Sequence, residues 1–301
     1  MSMPPLWVVT AIFNPCRYRS RIDLYRRFEK YVRDSGAGLL TVELAFGERP
    51  FEVTEPGDPL DLQLRTRDEL WHKEKLLNLG IQRLPADWKY VAWIDADVIF
   101  ARPDWVKETV HLLQHYPVIQ MFSQAADLGP NYEQLHLHTG CIYAHDCGLD
   151  CRSGNYSKYH PGYAWAARRD AIDGMGGFFD VSILGSADRF MALSMLGQKA
   201  TAPGISPSFN RHMDSWRRRC QRVIRGNVGH MPGLLLHYWH GKKVDRRYKD
   251  RWKILVEHSY CPDSDLQLDS QGLYTLTDRC PGLRYDMRQY FRARNEDSVD
   301  V

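Results

Sequence analysis

The sequence predicts an α/β protein in which a mixed, mostly parallel sheet is flanked by helices and followed by a helical C-terminal extension. An apolar stretch over residues 6–13, an amphipathic stretch over 20–33 and a second apolar stretch over 39–44 give the order strand, helix, strand. Parallel α/β sheets begin with this order, because the crossover helix returns the chain to the end of the sheet at which the first strand started. With 301 residues, of which 44% are hydrophobic, the chain can bury a large core.

The first half of the chain continues this alternation. Asn14-Pro15 ends the first strand because proline has no amide donor, and the Ser-Gly-Ala-Gly segment at 35–38 ends the first helix. Apolar spacing then predicts the next elements. They are a loop over 47–61, a helix over 70–84, a strand over 90–100, a helix over 104–115 with Asp104 as its N-cap, and a strand over 118–122.

The second half of the chain begins with a segment, residues 125–160, that shows no periodicity and is therefore predicted to be an irregular insertion. The elements predicted after it are a strand over 161–166, helices over 168–174 and 188–196, an arginine-rich helix over 211–225, a strand over 233–241 and a helix over 245–256. We assign residues 1–260 to one domain and expect 261–301 to be a peripheral, weakly structured extension.

The composition narrows the classes of protein. No stretch approaches the roughly 20 apolar residues that a membrane-spanning helix needs. The first five residues, Met-Ser-Met-Pro-Pro, lack the charged segment and apolar core of a secretory signal. Seven scattered cysteines favour a reducing compartment over a disulfide framework. We therefore expect a cytoplasmic protein with no membrane span.

Basic residues are concentrated in two stretches, although the net charge is only +3. Residues 10–33 contain seven basic residues against two acidic ones, and residues 201–260 contain thirteen against four. Such stretches can face the phosphates of a nucleotide or a polynucleotide. An ordinary solvated surface is the alternative interpretation.

Two aspartates, Asp95 and Asp97, interrupt the apolar strand predicted over residues 90–100. In an extended segment, residues i and i+2 point to the same side. The two carboxylates could therefore hold one hard divalent cation, which prefers oxygen ligands. A structural turn is the alternative.

Other reactive side chains also follow predicted strands. Asp188, His237 and His240 lie at or near strand ends, and ligands of open α/β sheets bind beyond the carboxyl ends of the strands. This common placement predicts one active site. His240 is interpreted as a metal ligand, whereas His237 is either a ligand or a core histidine.

Five sequence blocks in fixed order resemble the β-1,4-galactosyltransferase family. They are the segments 71–80, 93–99, 162–166, 175–178 and 184–188, which read WHKEKLLNLG, WIDADVI, GYAWA, MGGF and LGSAD. The resemblance spans most of residues 6–245. It implies the GT-A fold and a metal-dependent, inverting hexosyltransferase that uses a UDP-sugar donor.

The resemblance also implies roles for the metal-binding and catalytic residues. Asp97 would be the principal carboxylate on Mn²⁺ or Mg²⁺, and Asp95 would support the metal or the donor ribose. His237 and His240 stand at the spacing of the Met and His that the family uses as further ligands. Asp188 would be the general base. Its alternative role is that of a helix N-cap.

One departure from the family pattern concerns the acceptor. The family has a glutamate before the catalytic aspartate, and this chain has Ala187; it has Arg189 where a further aspartate would stand. Acceptor binding by that acidic cluster is therefore in doubt.

The resemblance implies a nucleotide-binding set. Trp71 would pack against the uracil, Lys73 would contact the nucleotide, and cations after the last strand would hold the diphosphate. An ordinary helix start with a core tryptophan is the alternative for Trp71 and Lys73. The full set is Thr10, Arg17, Arg19, Arg21, Trp71, Lys73, Asp95, Lys242, Lys243 and Arg246.

The acceptor is the least determined part of the prediction. The arginines at 217–219, Arg222 and Arg225 favour a polyanion, and we expect a 5-hydroxymethyl-pyrimidine in DNA, which would have to leave the duplex stack. A glycan or glycolipid hydroxyl is the alternative. A nucleotidyltransferase is disfavoured because no Gly-rich loop follows the first strand; a non-catalytic sugar-nucleotide or nucleic-acid binder is the third hypothesis.

A cluster of histidines and cysteines lies in the 125–160 segment. Its density permits a small zinc site, although its spacing matches no standard pattern; the other interpretation is a loop on the acceptor side. Its members are His136, His138, Cys141, His145, Cys147 and Cys151.

Overall fold

The computed structural model describes residues 5–153, 159–248 and 250–301. Its strands are β1 Trp7–Phe13, β2 Gly38–Phe46, β3 Asp61–Thr66, β4 Tyr90–Ile94, β5 Val98–Phe100, β6 Val118–Gln120, β7 Gln124–Leu128, β8 Gln134–Gly140, β9 Tyr159–His160, β10 Ala164–Arg168, β11 Val228–His230, β12 Leu234–His237, β13 Leu266–Leu268 and β14 Tyr274–Leu276.

Helices cover both faces of the main sheet. They are α1 Arg19–Asp34, α2 Lys73–Ile81, α3 Trp105–Leu112, α4 Cys141–Asp146, α5 Arg169–Met175, α6 Ala187–Met195, α7 Pro207–Val223, α8 Arg251–Glu257, α9 Pro262–Asp265 and α10 Pro281–Arg292, with 3-10 turns at Cys151–Ser153 and Lys243–Arg246.

The main sheet has seven strands in the order β11-β6-β10-β4-β1-β2-β3. β1 is parallel to β2 and β4, whereas β10 runs antiparallel between β4 and β6. Val8 and Ala92 belong to the core on one face, and Val9 and Val91 belong to the core on the other. Because both faces are covered, these strands are continuously apolar. The predicted fold class, a mixed and mostly parallel sheet flanked by helices with a helical C-terminus, is confirmed.

A second sheet has five strands in the order β5-β12-β7-β8-β9. It meets the first sheet at Asp95 and Asp97. The single strand predicted over 90–100 was wrong, because the chain leaves the main sheet after Ile94, and Val98–Phe100 pairs with β12. Asp95 donates its backbone N–H to Tyr163 O across 2.8 Å, and Asp97 O accepts from the Tyr238 N–H across 2.8 Å. The two carboxylates therefore lie at the junction of the two sheets.

Several local predictions also need correction. The 125–160 segment is not irregular: within its described part, β7, β8 and β9 pair in the second sheet and α4 follows β8, while residues 154–158 lie outside the described residues. β3 was missed because its sequence, DLQLRT, has few apolar residues. Asp104 precedes α3 but its side chain makes no capping bond. The predicted 245–256 helix is a 3-10 turn followed by α8, and Lys249 lies outside the described residues.

The C-terminal extension is not peripheral. Leu283, Met287 and Tyr290 of α10 are fully buried in the main core. After α10 the chain returns to the carboxyl end of β1, where Arg294 and Glu296 are buried. Within the described part of the chain, no helix has the length and apolarity needed to cross a bilayer.

Candidate active site

Three predicted metal ligands converge where the two sheets meet. The Nε2 atom of His240 lies 3.0 Å from Oδ2 of Asp97, and the Nε2 atom of His237 lies 3.9 Å from the same oxygen. The two Nε2 atoms are 3.2 Å apart. Ligand atoms held about 2.1 Å from one ion, at angles of about 90° to 110°, are separated by about 3.0 to 3.4 Å. The cluster therefore has nearly the dimensions that a bound divalent ion requires.

The protonation states of Asp97 and His240 also fit a metal ion. Burial alone would raise the pKa of Asp97, but His240, His237 and Arg21 hold it well below its ordinary value. Burial and the neighbouring Arg246 lower the pKa of His240, which favours the neutral imidazole that metals bind. Oδ1 of Asp97 is buried and has no hydrogen-bond partner among the described residues, so an acceptor atom is left for a ligand.

Asp127, which sequence reasoning missed, orients His237. Oδ1 of Asp127 lies 2.8 Å from Nδ1 of His237 and accepts a hydrogen bond from the Tyr163 hydroxyl at 2.9 Å. Its other oxygen accepts from His138 and Lys243. Because a carboxylate only accepts, Nδ1 of His237 carries the proton and Nε2 keeps its lone pair for a metal.

Glu296, from the C-terminal extension, lies behind His240 but forms no hydrogen bond with it, since Nδ1 of His240 has no hydrogen-bond partner among the described residues. Oε2 of Glu296 lies 3.7 Å from Nδ1 of His240. The same carboxylate forms a two-pronged ion pair with Arg21 and is also bonded by Nε of Arg294. Burial raises the pKa of Glu296, but the two arginines hold it well below its ordinary value. The C-terminal residues are therefore part of the site, and no local pattern in the sequence indicated this.

Asp95 does not join the metal cluster. Its carboxylate pairs instead with Lys73, at the start of α2. Burial raises the pKa of Asp95, and Lys73 only partly opposes the effect. Asp95 and Asp97 thus face different partners. The chain bends between the two sheets here, so the rule that residues i and i+2 of a strand point to the same side no longer applies.

A cavity of about 510 Å³ adjoins the cluster and gathers most of the predicted site residues. Those that line it are Arg21, Trp71, Lys73, Asp95, Asp97, Asp188, His237, His240, Lys243 and Arg246. Arg251 and Arg294, which were not predicted, also line it. The guanidinium of Arg294 lies 5.3 Å from the centre of the Trp71 ring.

Four predicted nucleotide contacts lie elsewhere. The Thr10 hydroxyl is buried and donates to Ile94 O across 2.9 Å. Arg17 lines a separate small depression, and Lys242 lines a neighbouring cavity. Arg19 is exposed and lies 3.6 Å from Asp23 on its own helix. A residue can lie next to a strand end in the sequence and still direct its side chain away from the cavity.

Asp188 lines the cavity from the first turn of α6. Its Oδ1 accepts the N–H of Arg189 at 2.8 Å. The N-cap position belongs to Ser186, so the N-cap role considered for Asp188 is not observed. A Cβ at Gly162 would lie 2.6 Å from Oδ2 of Asp188, so the glycine leaves room for this carboxylate.

The histidines and cysteines of the 125–160 segment do not form a metal cluster within the described ranges. His138 is directed to Asp127, Cys147 is exposed, and Cys141 and Cys151 are buried. The arginines of α7 also lie away from the cavity lining. Arg219 binds Met175 O at 2.6 Å, while Arg218 and Arg222 are exposed.

Comparison with known proteins gives weak structural similarities. No family model matches the sequence, and no curated protein matches it. Among solved structures, the chain is similar to a mutant of Drosophila β-1,4-galactosyltransferase 7 in complex with manganese, UDP-Gal and xylobiose, at 14% identity and a TM-score of 0.34. That similarity covers 65% of this chain and 63% of the Drosophila chain, so this chain spans only part of the length of the protein it matches.

Two further structures are similar over more of their length. One is described as a nucleotide-diphospho-sugar transferase of Desulfovibrio desulfuricans G20, at 11% identity and a TM-score of 0.37, over 99% of this chain and 100% of that one. The other is a glycosyltransferase involved in the glycosylation of the major capsid of PBCV-1, at 10% identity and a TM-score of 0.34, over 83% and 98%. Scores this low do not establish a shared activity.

Proposed function

We propose that this protein is a metal-dependent glycosyltransferase, of GT-A type, that moves a sugar from a UDP-sugar to a hydroxyl group of an acceptor. The proposal is carried by one observation, which is that the cluster of Asp97, His237 and His240 opens onto a cavity lined by six cationic side chains. They are Arg21, Lys73, Lys243, Arg246, Arg251 and Arg294. A metal ion and several cations in one cavity suit a diphosphate.

Asp97, His237 and His240 would hold the divalent ion. Two imidazole nitrogens favour Mn²⁺ over Mg²⁺, which prefers oxygen ligands. When bound, the ion supplies Lewis-acid stabilisation of the diphosphate leaving group.

Arg246 is the best placed of the cations to bind the diphosphate. Its Nη2 lies 3.1 Å from Nε2 of His240. Its Nε, like that of Arg251, is buried and has no hydrogen-bond partner among the described residues. By contrast, Arg21 and Arg294 are paired with Glu296, and Lys73 is paired with Asp95. Trp71, at the same cavity, is proposed to pack against the uracil.

Asp188 is proposed as the general base of an inverting transfer. It is half-buried and lines the same cavity as the metal cluster. One of its oxygens is bonded to the N–H of Arg189, which leaves Oδ2 to accept the proton of an acceptor hydroxyl. Attack by that hydroxyl would displace the diphosphate from the opposite side of the sugar carbon.

For the acceptor we propose a hydroxymethyl-pyrimidine in DNA, with a glycan or glycolipid hydroxyl as the other outcome of the test. The exposed Arg218, Arg222 and Arg225 of the α7 region support a polyanionic acceptor. Since they do not line the cavity, DNA binding and sugar transfer need to be measured separately.

The test is sugar transfer from a set of UDP-sugars in the presence of Mn²⁺, with EDTA and Asp97→Asn as controls. Hydroxymethylated duplex DNA, unmodified DNA and free glycans would be offered in parallel. We expect Mn²⁺-dependent release of UDP that EDTA and Asp97→Asn abolish. Absence of UDP binding and of transfer by the unaltered protein with every donor would overturn the proposal.

A further inference from the structure

Glu74 is a buried acid on the apolar side of α2. It stands three residues before Leu77 and seven before Ile81, which are core residues, and the residue is 3% exposed. Helix positions with these spacings lie on one face. Burying a carboxyl among apolar neighbours is unfavourable unless a partner compensates it, so the position of Glu74 calls for a function.

The Glu74 carboxyl accepts from its own backbone N–H, and its remaining hydrogen-bonding capacity is not used by any other described residue. Its carboxyl lines the cavity beside Asp188 and Lys73. No other described side chain forms a hydrogen bond or an ion pair with it; the ammonium group of Lys73, the adjacent residue, is paired with Asp95. The compensating partner of Glu74 is therefore expected to be a molecule bound in the cavity.

We infer that Glu74 binds a hydroxyl group of a sugar in this cavity, an inference that rests on the function proposed above. The hydroxyl belongs either to the transferred sugar or to the acceptor, since Glu74 interacts electrostatically both with Lys73 and with Asp188, the proposed base. An anionic group is disfavoured here because two further carboxylates are close by. A hydroxyl both donates and accepts hydrogen bonds, and a carboxyl group can meet both requirements.

The protonation state of Glu74 supports this match. Burial raises the pKa of Glu74 to about 8, while Lys73 acts in the opposite direction. Near neutral pH the group is therefore largely a neutral acid, which offers one donor and one acceptor to a hydroxyl.

The experiment compares the binding of UDP and of UDP-sugars to the full chain and to Glu74→Ala, by calorimetry with Mn²⁺. Glu74→Gln, which keeps a donor and an acceptor, is the second variant, and Asp87→Ala removes an exposed acid as the control. We expect all variants to bind UDP as the unaltered chain does, which also reports correct folding. Glu74→Ala should either bind the UDP-sugar about tenfold more weakly or show a KM for the acceptor that is raised about tenfold. Glu74→Gln should show a smaller change in the same quantity.

Two measurements, the affinity for the UDP-sugar and the KM for the acceptor in the transfer reaction, identify the source of the hydroxyl. Weaker binding of the UDP-sugar assigns it to the transferred sugar, and a raised acceptor KM alone assigns it to the acceptor. If Glu74→Ala binds UDP normally and neither quantity changes, the inference is overturned while the proposed function stands. If the unaltered chain does not bind UDP at all, the proposed function itself fails.

Discussion

Nδ1 of His237 donates a hydrogen bond across 2.8 Å to Asp127, a residue 110 positions earlier in the chain. This bond fixes the imidazole with Nε2 towards Asp97. Metal-binding histidines depend on such partners for both tautomer and orientation. The candidate metal cluster is therefore held in place by a residue that is not one of its proposed ligands.

The first prediction is that Asp127→Asn weakens Mn²⁺ binding about 10- to 100-fold. Four donors, from His138, Tyr163, His237 and Lys243, converge on Asp127. An amide offers them one acceptor oxygen in place of two, so His237 loses its fixed tautomer or its orientation. Electron paramagnetic resonance of free Mn²⁺ measures the affinity. Tyr163→Phe removes one donor and keeps the carboxylate, so a smaller loss is expected; equal losses would contradict the tautomer explanation.

The second prediction separates the two aspartates of the turn. Asp97→Asn should lower Mn²⁺ affinity more than about 100-fold, because it changes a proposed ligand. Changing a residue that only supports a ligand typically lowers metal affinity about 10- to 100-fold. Asp95→Asn should lower it much less, because Asp95 is paired with Lys73 and not with the two histidines. The same Mn²⁺ titration, together with UDP calorimetry, makes the comparison. An equal loss of Mn²⁺ binding in both variants would show that Asp95 is a ligand.

The third prediction concerns the C-terminal extension. Glu296 is buried between Arg21 and Arg294, and Glu296→Gln would leave the half-buried Arg21 and the buried Arg294 without their carboxylate. Removing one partner from a buried ionic cluster costs about 3 kcal/mol of unfolding free energy. Urea unfolding measures the change. Asp300→Asn, at an exposed position close by, should have no measurable effect, and a Glu296→Gln variant of unchanged stability would show that the cluster does not stabilise the fold.

The fourth prediction is a pH dependence of stability due to Glu74. Burial raises its folded-state pKa from 4.5 to about 8, and the charged groups around it are Lys73, Asp188 and Asp95. Between these pH values the unfolded chain has lost a proton that the folded chain keeps. The contribution of Glu74 to stability is thus fully present below pH 4.5 and is lost as the pH rises through about 8.

The measurement is urea unfolding of the unaltered chain and of Glu74→Gln between pH 5 and 9. The stability of the unaltered chain relative to the variant should fall with rising pH, by at most about 1.4 kcal/mol per pH unit, and level off above about pH 8. Two curves that run parallel across this range would show that Glu74 is already ionised in the folded protein.

Local patterns in the sequence predicted much of the fold and the centre of the site. Continuous apolar runs indicated β1, β2 and β4, since these strands are buried on both faces. Spacing of apolar residues indicated α1 and α6 within one residue of their observed bounds, whereas the helix predicted over 70–84 is limited to Lys73–Ile81. Asp95, Asp97, His237 and His240 were predicted as site residues because reactive side chains interrupted or ended apolar strands. Glu74 could have been found in the same way, as an acid on an apolar helix face.

Only the tertiary structure decided which partner each charged residue has. The division of residues 90–100 between two sheets separates Asp95, which faces Lys73, from Asp97, which faces the histidines. The pairing of Arg21 with Glu296 joins residues 275 positions apart. Periodicity reports which face of an element is apolar, whereas the partner of a buried charge is set by the packing of distant segments. For that reason the sequence by itself predicted Asp97, His237 and His240 as ligands, and only the fold decided which residues hold them in place.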